Sequence, residues 1–180
     1  MTSKRMRTTG NDAVKDQKRH VAVMESPVGP LLLQSNGKAL TAIRFAIHKG
    51  RKLPRPRVNE AVLKPDPILR ETICQLREYF AGKRRDFDLP LELTGTDFQR
   101  KTWAALCEIP YGETVSYAEL ARRVGNPRAV RAVGAANGAN PVSLVVPCHR
   151  VIASGGGLGG YGGGLKTKQW LLELEGARKK

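Results

Sequence analysis

The sequence is poor in cysteine, in aromatic residues and in negative charge, and it has no long apolar run. Its three cysteines, Cys74, Cys107 and Cys148, are too few and too far apart for a disulfide framework. Their odd number fits a reducing compartment, where a thiol can serve as a nucleophile. Residues 1–73 hold no cysteine, and His20, His48 and His149 lack ligand spacing, so no metal site is expected. Apolar runs such as Leu31–Leu33 and Leu144–Val146 fall far below the roughly 18 residues that cross a bilayer, which excludes a membrane-spanning helix. The first twenty residues mix Lys, Arg, Asp and Gln without an apolar stretch or cleavage pattern. No secretory leader is expected, and the compartment implied is cytoplasmic, with the protein associated with the nucleoid.

What is abundant is positive charge. Among 180 residues, 31 Lys and Arg outnumber 16 Asp and Glu, for a net charge of +15 and a pI near 10.2. With 41% apolar residues the chain can bury a core, so it reads as globular with a polyanionic partner, most often nucleic acid. The charge is also placed unevenly. No acidic residue stands between Glu119 and Glu173, while Arg122, Arg123, Arg128, Arg131, Arg150, Lys166 and Lys168 all fall in that stretch. A solvated face normally interleaves both signs; an acid-free one is what phosphate neutralisation requires.

The local patterns divide the chain into a basic arm (1–19), an N-terminal α/β domain (20–94) and a C-terminal domain (95–180). The arm reads either as a plain solvated tail or as a DNA-grazing one. Strand-like runs follow in VAVME, LLLQS and ALTAIRFA, the last two joined by Asn36-Gly37, a strong hairpin signal. After a basic loop over 48–65, Asp66-Pro67 supplies a cap and a first-turn proline for a helix. That helix places Leu69, Ile73, Leu76 and Phe80 on one face and stops at Gly82, and Cys74 within it is expected to be a small buried apolar residue. DFDLPLEL reads as one more strand.

Thr96 and Gln99 form a capping box for a helix through Trp103 and Leu106, with Cys107 in its last turn as a structural thiol. Ser116 and Glu119 form a second box for SYAELARRV, which breaks at Gly125-Asn126 before Pro127 opens PRAVRAVGAAN. Two short helices around a glycine-containing turn fit a helix-turn-helix, and equally a plain helical hairpin. SLVVPCHRVIAS reads as a strand interrupted at Pro147-Cys148, and LKTKQWLLELE as a final helix. The fold class expected is α+β: a small antiparallel sheet with one helix, then a mainly helical domain.

Within that basic segment stands Pro147-Cys148-His149-Arg150. A thiolate is the reactive form of cysteine, and a neighbouring histidine or cation promotes it. Neighbours on a strand face opposite ways, so His149 would act on Cys148 through a local break or a water. A Cys-His dipeptide alone leaves nucleophile and buried thiol equally open. Gly157–Gly162 matches G-x-G-x-x-G, but a dinucleotide fold needs a further strand with an acidic residue roughly 20 residues on, and the sequence has no room for it. A flexible loop or a close backbone approach to a ligand fits better.

Residues 96–176 closely resemble the O6-alkylguanine-DNA alkyltransferases, single-turnover repair proteins. The matching pieces stand in family order: TDFQRKTW, IPYGETVSYAELA, NPRAVRAVGAANGANP, VPCHRVI and GYGGGLKTKQWLLELEG. The N-terminal part is similar only in its strand-then-helix outline. The resemblance implies transfer of an alkyl group from O6-alkylguanine, and from O4-alkylthymine, in double-stranded DNA to Cys148 after the nucleotide is flipped out. It implies His149 as a water-linked base, Glu175 as its orienting partner and Tyr117 as a hydrogen-bond donor to the damaged base. Arg131 would fill the gap left in the duplex and Asn140 would brace the turn before the cysteine; Arg122 and Arg128, within the acid-free stretch, are expected to contact DNA. The carbonyls of Cys148 and Val151 and a backbone N–H near Gly162 would hold the base. No cofactor is implied, and the structural zinc of some members lacks its cysteines here. A monomer is expected, with cooperativity along DNA left open.

Three rivals differ in class. A damage-binding relative without chemistry would replace the acceptor cysteine, a Cys-His hydrolase would need an oxyanion hole, and a redox-sensing regulator should prefer one DNA sequence.

Overall fold

The computed structural model describes residues 19–48, 51–52 and 66–177, so the basic arm and most of the loop expected over 48–65 lie outside the described residues. Strands β1 (His20–Met24), β2 (Leu31–Ser35) and β3 (Leu40–Phe45) form an antiparallel sheet in that order. Along β2, Leu31, Leu33 and Ser35 are buried, the period of two that a half-covered strand imposes. The Asn36-Gly37 hairpin closes as its residues dictate: Gly37 takes φ +84°, and Asn36 Oδ1 accepts the amides of Lys38 and Ala39 at 3.0 and 2.9 Å. Short strands β4 (Ile47–His48) and β5 (Arg51–Lys52) pair antiparallel.

Helix α1 (Pro67–Phe80) covers the sheet. Asp66 caps it, its Oδ1 accepting from Leu69 N at 2.7 Å, and Ser35 Oγ donates to the other carboxylate oxygen. The buried face is Leu69, Thr72, Gln75, Leu76 and Tyr79, rotated from the one that apolar spacing selects; Ile73 and Phe80 are only half-buried and Cys74 is exposed. The cause is polar. Gln75 bonds both backbone groups of Asp88, at 3.0 and 2.9 Å, and Tyr79 sends its hydroxyl into the second half of the molecule.

The outer edge of β3 is covered rather than solvated. Leu40 bridges Leu91, and Ile43 bridges Val142 through Ile43 N to Pro141 O (2.9 Å) and Ser143 N to Ile43 O (3.3 Å). The chain leading to Cys148 is thereby docked on the sheet. The expected strand over DFDLPLEL makes only the Leu91 bridge. Pro90 has no N–H to extend a ladder, and the segment is an extended stretch that buries Phe87, Leu89, Leu91 and Leu93.

The second half begins with α2 (Asp97–Cys107), opened by a reciprocal capping box between Thr96 and Gln99. Next come β6 (Val115–Ser116), α3 (Tyr117–Arg123), α4 (Val130–Gly138), a 3₁₀ turn at Cys148–Arg150, β7 (Val151–Ile152) and α5 (Leu165–Leu174). Trp103 is buried and donates its indole N–H to Ala136 O at 2.9 Å, which fastens α2 to α4. Helices α3 and α4 pack together around the turn at Gly125 (φ +82°).

Two local expectations are corrected here. Only half of the Ser116 box forms, because the Glu119 carboxylate turns to Arg122 and Arg123 instead of back to the cap. Helix α4 starts at Val130 and not at Pro127: Ala129 N donates to Asn126 O at 3.0 Å, so residues 126–129 are spent on the turn. One apolar core runs from the sheet through Tyr79 to Val142, Val146 and Leu171, and the α+β class read from the sequence is the one observed.

Candidate active site

The segment after α4 folds as a tight turn, not as the strand expected. Asn140 spans it, its Oδ1 accepting from Val142 N at 3.0 Å and its Nδ2 donating to Val146 O at 2.8 Å. Leu144 is forced to φ +75°, a left-handed conformation that an L side chain adopts only when its surroundings hold it there. Pro147, φ −82° and ψ 63°, ends the extended run, and Cys148, His149 and Arg150 form a single 3₁₀ turn. Two-residue β7 pairs in parallel with β6, tying the exit of this turn to the start of α3.

All three residues of the turn are buried. His149 Nε2 lies 2.8 Å from Glu175 Oε1. Arg150 donates from Nε to Glu175 Oε2 at 2.8 Å, from Nη2 to Oε1 at 2.9 Å, and from Nη1 to Ile109 O at 2.7 Å. Burial alone would raise the Glu175 pKa, but hydrogen bonds and charge from His149 and Arg150 bring it down to about 2. An ionised carboxylate can only accept, so Nε2 carries the proton. Burial lowers the His149 pKa and outweighs the pull of Glu175, so the ring is neutral and Nδ1 is a bare acceptor. Nδ1 is buried without a partner among the described residues.

Cys148 opens onto a cavity of about 340 Å³ walled by Tyr117, Asn137, Ser143, Tyr161 and the glycine loop at Gly160 and Gly162. Burial pushes its thiol pKa up, while hydrogen bonds from Asn140 and Ser143 and the Lys168 charge pull it partly back. The sulfur is therefore a protonated thiol that needs a base. Tyr117, at the start of α3, is also held protonated, chiefly by burial.

Two glycines make the walls possible. At Gly159 (φ +67°) a Cβ would stand 2.9 Å from the Tyr117 ring, and at Gly163 one would stand 2.8 Å from the Phe45 ring. Phe45 is buried and packs edge-on against Tyr161 at 5.5 Å, so it has nowhere to retreat. Gly163→Ala should lower stability by about 1–3 kcal/mol through overpacking. Thermal unfolding measures this, and adding Phe45→Leu should recover part of the loss.

The structure lines one cavity with Cys148, Tyr117, Asn140 and Gly162, while His149 and Glu175 form a buried pair outside that lining. Arg122, Arg128 and Arg131 are exposed on α3, the following turn and α4. The Val151 carbonyl already accepts from Lys168 Nζ. Lys168 and Arg150, counted from sequence among the surface cations, are both buried. Each finds stronger partners inside: Arg150 the Glu175 carboxylate, Lys168 the carbonyls of Val151 and Leu158. The Lys168 pKa falls from 10.5 to about 8 by burial. Sequence reasoning missed the site positions of Tyr79, Asn137, Ser143, Tyr161 and Lys168. Lys168 had no sequence signal, since charge alone does not announce burial.

A buried cysteine next to a histidine–carboxylate pair, carried beside two packed helices with exposed arginines, is the arrangement of a candidate cysteine nucleophile with a candidate nucleic-acid face. Residues 20–93 match the ribonuclease-like domain of 6-O-methylguanine DNA methyltransferase, and residues 97–177 match its DNA binding domain. The chain belongs to the 6-O-methylguanine DNA methyltransferase family. The methylated-DNA–protein-cysteine methyltransferase of Methanosarcina barkeri is 50% identical over 153 residues, covering 85% of this chain and 94% of that protein. The protein of the same name from Mycobacterium tuberculosis is 48% identical over 160 residues, covering 88% and 93%. The crystal structure of M. tuberculosis OGT in complex with DNA superimposes with a TM-score of 0.75 at 46% identity, covering 87% of this chain and 92% of that one. The methyltransferase of Pyrococcus kodakaraensis, at 24% identity and a TM-score of 0.52, shares the fold. Among the described residues no helix is long and apolar enough to cross a membrane, and no cluster of three or more metal-binding side chains occurs.

Proposed function

We propose that this protein repairs DNA by direct reversal, moving the alkyl group of O6-alkylguanine, and of O4-alkylthymine, in duplex DNA onto the sulfur of Cys148. The observation that carries the reading is the polarity of the turn. A buried thiol faces a base-sized cavity while the neighbouring imidazole, its Nε2 proton fixed by Glu175, keeps Nδ1 bare.

The target atom lies inside the duplex, so the nucleotide is extruded into the cavity at a cost of a few kcal/mol. Arg131 on α4 fills the gap in the stack, while Arg122 and Arg128 neutralise phosphates. The carbonyls of Cys148 and Val151 and the Gly162 N–H hold the base edge, with Asn140 bracing the turn that presents them. His149 Nδ1 takes the thiol proton through a water, and Glu175 stabilises the imidazolium. Sulfur then attacks the alkyl carbon: the S–C bond forms, the C–O bond breaks, and the electron pair stays on the guanine oxygen. Tyr117, kept protonated, donates a hydrogen bond to the departing base. The product thioether has no good leaving group, so the thiol is not regenerated and each chain reacts once. No diffusible cofactor takes part. A cytoplasmic, nucleoid-associated monomer, built of units 20–94 and 95–180, suits this task.

The direct test is intact-protein mass before and after incubation with a duplex carrying one O6-methylguanine. A single methyl on the peptide containing Cys148, saturating at one per chain, is expected; no gain with binding intact would leave a damage sensor. Arg131→Ala should slow transfer from duplex DNA about tenfold, the equivalent of roughly 1.4 kcal/mol of lost extrusion energy. Its attack on free O6-methylguanine base should stay within about twofold, and equal slowing of both would remove the extrusion role.

A further inference from the structure

Tyr79 belongs to α1, 96 residues before Glu175, yet its hydroxyl donates to Glu175 Oε1 at 2.7 Å. The side chain is fully buried, with Phe80, Phe87 and Tyr111 rings at 5.5, 5.3 and 6.3 Å. A phenylalanine would satisfy those ring contacts equally well, so packing does not require the hydroxyl. Burial and the adjacent carboxylate push the Tyr79 pKa far above the ordinary phenol value, which keeps the group a donor at every working pH.

We propose that Tyr79 is a positioning residue for alkyl transfer: by sharing Glu175 Oε1 with His149, its hydroxyl fixes the carboxylate and moderates its hold on the imidazole. The proposal rests on His149 acting as the base for Cys148. Oε1 accepts from Tyr79, from His149 Nε2 at 2.8 Å and from Arg150 Nη2 at 2.9 Å. Donors that converge on one oxygen divide its negative potential. An imidazolium bonds a carboxylate more strongly than neutral imidazole does, so any donor that weakens the acceptor lowers the affinity of His149 for a proton. Tyr79 thereby helps keep the ring neutral, the form able to accept from the thiol.

Two other groups facing His149 push the same way, and Tyr79→Phe leaves both in place. Arg150 in the same turn and Lys168 from α5 oppose its protonation by charge. Cys148 precedes it and the Tyr161 ring stands edge-on at 6.4 Å, while Tyr111 lies behind Glu175 and donates to Leu174 O at 3.1 Å. Among the described residues, Tyr79 alone carries a side-chain hydrogen bond from the first half of the chain to the carboxylate. Through that bond the sheet domain takes part in the chemistry of the second half.

The test is the single-turnover rate of methyl transfer by the full chain over about pH 5 to 9, for the unsubstituted protein and Tyr79→Phe. Losing the hydroxyl strengthens Glu175 as an acceptor, so the acid limb of the profile should move up by about half a pH unit. The titration of His149, followed by NMR with ¹⁵N-histidine, should move with it. A ring-fluorinated tyrosine at position 79 keeps the packing and donates more strongly, and it should move both the other way. A slower rate with neither limb nor titration displaced would reduce Tyr79 to packing and overturn the proposal, as would shifts of the same sign in the two variants. If the unsubstituted protein takes up no methyl group, the functional reading fails; the histidine titrations still decide the coupling.

Discussion

Cys148→Ser is expected to take up no methyl group from a duplex carrying O6-methylguanine, while binding that duplex within about twofold of the unsubstituted protein. The substitution changes one buried atom. A hydroxyl lies far above a thiol in pKa, so a neutral imidazole cannot generate the alkoxide, and an oxygen nucleophile is harder and more strongly solvated than sulfur. Nothing that touches phosphate is altered: Arg122, Arg128 and Arg131 are exposed on α3, the turn and α4, and the braces of the turn are the Asn140 side chain and backbone groups. Intact mass reads the first half of the expectation and fluorescence anisotropy of a labelled duplex the second. If both are lost, the thiol is structural. If transfer persists, the acceptor lies elsewhere, and peptide mapping would show whether exposed Cys74 or half-buried Cys107 had reacted.

Much of this site was legible because its residues are neighbours in sequence or carry strong local signals. Asn-Gly at 36–37, Asp66-Pro67 and the Thr96–Gln99 box each fix local geometry through one or two hydrogen bonds, and each forms as the residues dictate. Cys148 and His149 are adjacent, so any reading of one implicates the other. The misreadings have a common physical origin. Apolar spacing put Phe80 inside α1 and left out Tyr79, because it could not register hydrogen bonds to Asp88 and Glu175 that rotate the helix. A count of cations put Arg150 and Lys168 on the surface, because burial was decided by a carboxylate 25 residues away and by two carbonyls whose direction the fold sets. Tertiary polar contacts are the part of the structure that periodicity does not encode.

Glu175→Gln is expected to cost about 3–5 kcal/mol of stability, because it leaves a buried guanidinium without its counterion. Arg150 is 6% exposed at the side chain and Glu175 not at all, so water cannot replace the lost charge. The amide is equally poor geometrically. The carboxylate uses both oxygens as acceptors, Oε1 for Tyr79, His149 and Arg150 Nη2 and Oε2 for Arg150 Nε, whereas glutamine must turn an NH₂ toward one of these donors. For a chain of this size the loss corresponds to a fall in Tm of roughly 6–20 °C. Transfer should slow by about a hundredfold, since His149 loses the partner that fixes its tautomer.

The dependence on pH separates this charge effect from mere repacking. The folded-state pKa of Glu175 lies at about 2, below the ordinary 4.5, so the group binds fewer protons folded than unfolded. Its contribution is present in full above about pH 4.5 and is lost as pH falls through that value toward 2. Glutamine does not titrate, and other carboxylates contribute alike to both proteins, so they cancel in the difference. Urea unfolding of the two proteins should therefore show a stability gap that is widest near neutral pH and narrows steadily below about pH 4.5. A gap of constant size down to about pH 3 would mean that shape, and not the ion pair beneath His149, is what the glutamate supplies.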